Sequence, residues 1–110
     1  MRKAEIYRNQ ELAGVLEEEN PGRNYTFRYQ DTYFADKDKP AISLTLPKTE
    51  QEYHSDFLFP FFSNMLSEGA VRKLQSLLLK IDERDDFGIM LATAQYDTIG
   101  AVTVKPLNNK

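Results

Sequence analysis

The sequence of 110 residues contains no cysteine, no tryptophan and only one histidine. The absence of cysteine excludes disulfides, thiol catalysis and metal sites built on thiolates. It also agrees with a cytoplasmic location, which we expect for this chain. No stretch approaches the roughly eighteen consecutive apolar residues of a membrane span, and no apolar run follows the basic residues at the amino terminus. Neither a membrane anchor nor a signal sequence is therefore predicted.

Basic charge is scarce and scattered. The chain has 14 Lys and Arg residues against 17 Asp and Glu residues, for a net charge of -3. Its longest basic blocks are the pairs at residues 2–3 and 72–73, so the electrostatic footprint of a nucleic-acid-binding protein is missing. All five glycines are isolated, which excludes a glycine-rich phosphate loop. We expect no bound cofactor and no direct contact with nucleic acid.

Few residues suggest catalysis or metal binding. His54 is followed by Ser55 and Asp56, but adjacent residues do not converge on one point as a catalytic triad must, so an exposed loop histidine is predicted. The acidic residues between 82 and 86 lack the pattern of a calcium loop and are better explained as helix-capping groups. The sequence therefore predicts a protein without enzymatic activity. A small hydrolase that uses His54 is the alternative, and loss of activity in His54→Ala would support it.

Apolar and aromatic residues are concentrated in residues 57–69. Pro60 suits the first turn of a helix, where a missing backbone N–H costs nothing. A two-turn amphipathic helix is predicted from there, with one apolar arc made of Phe61, Phe62, Met65 and Leu66. A helix this short is not stable alone in water, so its aromatic face must be buried, either in this chain or against another one.

The first half of the chain has the pattern of strands. Residues 4–8 and 12–16 predict a hairpin. The acidic residues 17–19 and the turn-forming residues 20–22 after them predict a solvated loop. Tyr25, Phe27 and Tyr29 alternate with polar residues as in a half-buried strand. One helical turn capped by Asp31 is predicted at residues 31–35, and a further strand at 42–46 that ends at Pro47. Residues 48–56 are expected to be irregular.

The second half has the pattern of helices. A second helix is predicted from an apolar stripe of Val71, Leu74, Leu77, Leu78 and Ile81. A third helix is predicted to begin at Asp82 as its N-cap, with an apolar face of Phe87, Met90, Leu91 and Ala94. A turn at 95–100 and a last strand at 101–104 follow. The order predicts one α+β domain over residues 1–110, with a mostly antiparallel sheet of about five strands that could close into a barrel, and about three helices.

Two runs are specific enough to indicate a family. They are Ser-Leu-Thr-Leu-Pro at 43–47 and Phe-Phe-Ser-Asn-Met-Leu-Ser-Glu-Gly at 61–69. Together with Leu12, Gly14, Leu16, Phe27, Arg28, Tyr29, Tyr33, Ile42, Arg72, Asp86, Phe87 and residues 100–102, they resemble the N-terminal subdomain of HipA-type serine/threonine kinase toxins. Ser67 stands where the family usually has proline, and residues 95–97 stand where it often has Gly-Gly-Asp. The kinase core of such toxins, with its ATP-binding and catalytic residues, is not in this sequence.

A free-standing copy of this subdomain is similar to the HipS family, the small antitoxin subunits of tripartite HipBST systems. The resemblance implies a binding module that docks on a separately encoded HipA- or HipT-like kinase core and inhibits it. A DNA-binding HipB-like subunit is implied only as an indirect partner. We expect Phe61, Phe62, Asn64, Glu68 and Arg72 to form the contact set.

Two alternatives share this domain but not this role. The chain could complete a split HipA-like kinase without inhibiting it, and the sign of the effect on phosphorylation would separate the two cases. It could also be a scaffold that associates with itself, because exposed aromatic side chains can bury against a second copy. Dimerisation of the isolated chain would favour that alternative.

Overall fold

The computed structural model describes residues 2–64, 66, 69–93 and 101–107. Three strands open the chain, β1 (Arg2–Arg8), β2 (Glu11–Asn20) and β3 (Arg23–Tyr29), followed by helix α1 (Asp31–Ala35) and strand β4 (Glu52–Ser55). The helices α2 (Pro60–Ser63), α3 (Gly69–Leu79) and α4 (Asp86–Thr93) come next, and strand β5 (Val102–Pro106) comes last.

The five strands form one open sheet in the order β4-β3-β2-β1-β5, and every neighbouring pair is antiparallel. The predicted α+β class, the antiparallel sheet and the return of the last strand to it are confirmed. The sheet does not close into a barrel, since β4 and β5 lie at its two edges. Four helices are described where about three were predicted.

Tight turns set the register of the first three strands. Asn9 and Gln10 link β1 to β2 and both have positive φ, as the two central residues of a type I′ hairpin turn do. The predicted hairpin is thus confirmed despite its weak turn sequence. Gly14 in β2 has no room for a side chain, because a Cβ there would lie 2.4 Å from the carbonyl oxygen of Arg28.

One face of the sheet carries the core. Alternate strand residues point to this face, as the two-residue period of a strand requires, and the helices cover them. The fully or almost fully buried side chains include Ile6, Leu16, Tyr25, Phe27, Tyr29 and Val104 from the strands and Tyr33, Phe62, Phe87, Ile89 and Met90 from the helices. The strand predicted from Tyr25, Phe27 and Tyr29 is confirmed as β3.

The predicted solvated loop at residues 17–22 is wrong for residues 17–20, because β2 continues to Asn20, and its turn is confined to residues 21–22. Glu18 is only 2% exposed. Its carboxylate accepts hydrogen bonds from the Arg2 guanidinium (2.8 Å from Nε), the Tyr25 hydroxyl (2.8 Å) and the backbone N–H of Gly22 (3.1 Å). Burial of a carboxylate is tolerated when such partners replace water.

The predicted strand at 42–46 is also wrong. Ile42 and Leu46 are buried and Leu44 is exposed, and a turn closed by a hydrogen bond from the N–H of Leu46 to the carbonyl of Ser43 takes the place of a strand. The fourth strand lies instead at Glu52–Ser55, within residues predicted to be irregular, and it pairs with β3. His54 is exposed as predicted, but it lies in this edge strand and not in a loop.

The helices differ from their predictions mainly at their ends. Helix α2 has one turn, not two, and α1 has Gln30 at its N-cap in place of Asp31. Helix α4 begins at Asp86, and the carboxylate of Asp85 accepts a hydrogen bond from the N–H of Gly88 (3.1 Å). Asp82, the predicted cap, instead accepts from the N–H of Arg84. Met65, Ala94 and the predicted turn at 95–100 lie outside the described residues.

Candidate docking surfaces

Phe62, a predicted contact residue, lies in the core. It is fully buried, with its ring 5.9 Å from that of Phe27, 6.3 Å from Phe59 and 5.2 Å from Phe61, measured between centroids. The aromatic face of α2 is therefore buried within this chain. A direct contact between Phe62 and a partner would require the core to open.

Phe61 and Asn64 lie closer to the surface. Phe61 is half-buried and packs edge-to-face on Phe62, while Asn64 is exposed at the end of α2, where its backbone N–H caps the carbonyl of Pro60. Both can be reached by a partner from outside. Glu68, which precedes α3 in the sequence, lies outside the described residues.

Arg72 connects helix α3 to the start of α4. Its Nε donates a hydrogen bond to the carbonyl of Glu83 (2.9 Å), and its Nη2 forms an ion pair with Asp86. The side chain is only 17% exposed. A guanidinium held by a carbonyl and a carboxylate at once is a positioning group, so Arg72 fixes where α3 lies.

Helix α3 is oriented opposite to an ordinary surface helix. Its half-buried side chains are polar and lie at i, i+3 and i+4, namely Arg72, Gln75 and Ser76. The exposed side chains Val71, Leu74, Leu77 and Leu78, which we call the α3 apolar face, are between 56% and 76% accessible. Four residues of the predicted stripe therefore face solvent, whereas the fifth, Ile81, lies beyond the end of α3 and packs half-buried against the core. A surface helix normally buries its apolar stripe and exposes its polar one.

Burial of the polar side leaves one group unsatisfied. Among the described residues, the Oε1 atom of Gln75 is the buried side-chain oxygen without a hydrogen-bond partner. The hydrophobic effect thus does not explain the orientation of α3 within this chain, which depends on the hydrogen bonds of Arg72.

A cluster of charged groups supports α4, on which α3 rests. The Arg2 guanidinium donates to Glu18 and to both carboxylate oxygens of Asp85 (2.8 and 3.0 Å), and it lies 5.2 Å from the centre of the Phe87 ring. These hydrogen bonds lower the pKa of Asp85 below its ordinary value and raise that of Arg2. Sequence reasoning missed this cluster, because its members are separated by 16 and 83 positions in the chain.

A second apolar group is exposed in the loop between α1 and β4. Leu44 is 99% exposed at the apex of this loop, although Ile42 and Leu46 on either side of it are buried. The two exposed apolar surfaces have different supports: α3 contacts α4, whereas the buried Tyr29 of β3 holds the loop apex.

The groups around His54 do not form a catalytic site. Its Nδ1 lies 3.0 Å from the Thr26 hydroxyl on the neighbouring strand and its Nε2 lies 2.8 Å from Glu52, so His54 does not pair with Ser55 or Asp56. Both hydrogen bonds are exposed, and Thr26 and His54 line an open polar cleft of about 390 Å³. They fit ordinary cross-strand pairing at a sheet edge. Among the described residues, no group of three or more His, Asp or Glu side chains is arranged to hold a metal ion.

Comparisons with known proteins agree with this fold. The family model of the HipA N-terminal domain matches residues 4–105. The chain belongs to the HipA N-terminal domain family. A solved structure of the N-terminal domain of HipA toxin superposes with a TM-score of 0.72 at 25% identity, over 100% of this chain and 96% of that one. The resemblance inferred from the two sequence runs is confirmed at the level of the family and the fold.

Members of this family occur in proteins of different sizes. An uncharacterized protein of Haemophilus influenzae is 30% identical over 105 residues, which cover 96% of this chain and 92% of that protein. The protein of Sinorhizobium fredii called "Putative kinase Y4dM" is 31% identical over 86 residues, which cover 73% of this chain but only 21% of that protein. One relative thus has nearly the same length as this chain, whereas in the other the matched segment is a small part of a longer protein. Among the described helices, none has the length and apolar character to cross a membrane.

Proposed function

We propose that this chain is a non-catalytic, cytoplasmic binding module that docks on a separately encoded HipA-like serine/threonine kinase core and inhibits it. The observation that carries the proposal is the orientation of α3, which places its polar side chains inward and Val71, Leu74, Leu77 and Leu78 outward. An exposed apolar surface of this kind is stabilised when a partner covers it.

The sizes of the relatives support a partner of the kinase type. In the Sinorhizobium fredii protein, the matched segment is 21% of the polypeptide, and other regions make up the rest. The name of that protein is "Putative kinase Y4dM". The Haemophilus influenzae relative has little beyond the matched segment. A domain that occurs in both settings can contact a kinase core either within one chain or between two chains.

The predicted contact set divides into two groups on this proposal. Phe61, Asn64 and Glu68 touch the kinase core directly, in addition to the α3 apolar face. Phe62 and Arg72 act from within the chain, because Phe62 fixes α2 on the core and Arg72 fixes α3 on α4. A DNA-binding HipB-like subunit joins the assembly through the kinase and does not touch this chain.

Co-expression with the kinase-like protein encoded beside this chain tests the proposal. We expect the two proteins to co-purify through a tag on either one, and phosphorylation by the kinase to fall when this chain is added. The double variant Leu74→Ser/Leu77→Ser should lose both effects, because it removes two apolar side chains from the α3 apolar face. Lys73→Ser, an exposed change on the same helix, is the matched control and should keep both.

The alternatives give different results in the same assay. Co-purification with increased phosphorylation would show a completing half of a split kinase and overturn inhibition. A stable dimer of the isolated chain that Leu74→Ser/Leu77→Ser dissociates, without any kinase binding, would favour a self-associating scaffold.

A further inference from the structure

The loop of residues 36–51 has almost no regular secondary structure, yet side chains hold it along its length. The Tyr33 hydroxyl donates to the carbonyl of Pro40 (2.7 Å), and the Tyr53 hydroxyl donates to that of Pro47 (2.5 Å). Lys48 donates to the carbonyls of Asp36 (2.6 Å) and Lys39 (2.7 Å). Long loops without secondary structure are uncommon in small domains and are often functional.

The apex of this loop is held most firmly. The buried hydroxyl of Tyr29 accepts a hydrogen bond from the N–H of Ile42 (3.1 Å) and donates one to the carbonyl of Leu46. Between these two points, the hydroxyls of Ser43 and Thr45 bond to each other (2.9 Å), and Ser43 also accepts from the N–H of Thr45 (3.1 Å). The polar groups of the apex are therefore satisfied locally, and its backbone is fixed on both sides.

Leu44 is presented to solvent by this arrangement. It is 99% exposed, whereas Ile42 and Leu46 are at most 6% exposed. A side chain on a fixed backbone loses little conformational freedom when it is bound, so more of its burial energy appears as affinity. Single apolar anchors of this kind contribute strongly to protein interfaces when they fill a pocket in the partner.

We propose that Leu44 is a preformed anchor that inserts into an apolar pocket on the HipA-like kinase core. This inference rests on the function proposed above and adds a second contact to the α3 apolar face. The Leu44 apex is held by Tyr29 of β3, near the β4 edge of the sheet, whereas α3 is connected through α4 to the β5 edge. On this inference, the partner contacts both the Leu44 apex and the α3 apolar face.

A second copy of this chain is a poor receptor for Leu44. Charged and polar residues make up most of the lining residues of two clefts in the described part of the chain, with Thr26, Arg28, Asp31 and Glu52 in one and Arg72, Lys73, Glu83 and Asp86 in the other. The α3 apolar face is a convex helix surface and not a pocket. The described residues therefore favour an apolar receptor for Leu44 on a different protein.

The test measures the dissociation constant between this chain and the kinase-like protein encoded beside it. We expect Leu44→Asp to raise the dissociation constant at least about tenfold, because a carboxylate cannot enter an apolar pocket. Leu44→Met should stay within about threefold, since a pocket for leucine accommodates methionine. Thr49→Asp adds the same charge at an exposed position of the same loop and should leave the constant unchanged.

The outcomes separate this inference from the proposed function. If the unchanged chain binds and Leu44→Asp binds equally well, the anchor is overturned while the proposed function stands. If the unchanged chain does not bind, the proposed function fails and the anchor fails with it. If Leu44→Asp instead dissociates a dimer of the isolated chain, a second copy is the occupant and the inference is overturned. Thermal unfolding of Leu44→Asp should match that of the unchanged chain, because Leu44 is not buried.

Discussion

The loop of residues 36–51 and helix α3 both expose apolar side chains, but they are held in opposite ways. The loop lacks repeating backbone hydrogen bonds and is fixed by the hydroxyls of Tyr29, Tyr33 and Tyr53. Helix α3 has a regular backbone, none of its residues is buried, and Arg72 is its main polar connection to α4. Regular secondary structure and firm attachment are therefore separate properties in this chain.

If the proposed function is correct, the difference implies two modes of binding. A fixed loop apex can act as a preformed anchor, whereas a weakly attached helix can adjust its position on the partner surface. Local unfolding should be easiest where few apolar groups are buried, which is the case for α3. We expect hydrogen exchange in the unbound chain to be faster in α3 than at the backbone N–H of Ile42, which the buried Tyr29 hydroxyl holds.

The largest expected effect comes from Phe62, which packs on Phe27 in the core and belongs to a helix that contacts α4. Phe62→Ala should lower the free energy of unfolding by about 3–5 kcal/mol, because it leaves a cavity in a fully buried aromatic cluster. Urea unfolding measures this loss. The loop and α3 should then lose their protection from hydrogen exchange together, and the difference in exchange rate between them should disappear. Phe57→Ala, at a side chain 71% exposed, is the control and should change stability by less than about 0.5 kcal/mol.

A smaller effect, confined to the loop, is expected from Tyr29→Phe. The change removes one hydroxyl and leaves the N–H of Ile42 and the carbonyl of Leu46 without their partner, at a cost of about 1–3 kcal/mol. Hydrogen exchange should become faster at residues 42–46 and stay unchanged in α3. Tyr7→Phe removes a half-exposed hydroxyl and serves as the control. Faster exchange in α3 alone would contradict the assignment of Tyr29 to the loop.

Acid should weaken α4 and α3 before the loop. The Arg2 guanidinium lowers the pKa of Asp85 below its ordinary value of 3.8, so the folded chain holds a proton there less well than the unfolded chain. The resulting stability is present above about pH 3.8 and is lost as the pH falls through the lower folded-state pKa. Removal of an N-terminal cap costs about 1 kcal/mol, which sets the scale of the effect.

Comparison with Asp85→Asn isolates this group from the other carboxylates. Asparagine can still accept the hydrogen bond from Gly88 but has no charge to lose. Between about pH 2 and pH 5, where ordinary carboxyl groups titrate, the stability of this variant should therefore vary less with pH than that of the unchanged chain. Equal pH dependence in the two proteins would show that Asp85 does not contribute. The Tyr29 hydroxyl, whose pKa is raised by burial from 10.0 to about 12, remains protonated throughout this range.

Sequence periodicity correctly predicted those elements in which the buried side chains recur with the period of the element itself. The alternation of Tyr25, Phe27 and Tyr29 gave β3 correctly, and the motif order gave the family. The pattern at 42–46 misled because Ile42 and Leu46 are buried under a turn that the hydroxyl of Tyr29 holds, and no local signal reports that distant contact. Glu18 was placed in solvent for the same reason, since its partner Arg2 is remote in sequence.

The contact set could be predicted only in part. Aromatic side chains at helical spacing do not reveal which of two neighbours points inward, and the structure buries Phe62 while Phe61 stays half-exposed. The stripe on α3 was visible in the sequence, but its outward orientation depends on Arg72 and its partners in α4. The exposure of Leu44 likewise depends on the loop around it and has no signature of its own.

The smallest effect on the unbound chain is expected from Leu77→Ser on α3. Leu77 is 76% exposed, so the change removes little buried area and should alter the free energy of unfolding by less than about 0.5 kcal/mol, mostly through helix propensity. Chemical denaturation measures this value, and Lys73→Ser controls for propensity on the same helix. A loss above about 2 kcal/mol would show that Leu77 is buried within the chain, since that is the scale of a buried leucine. The α3 apolar face would then belong to the core, and of the two proposed contact surfaces the Leu44 apex would be the one left exposed.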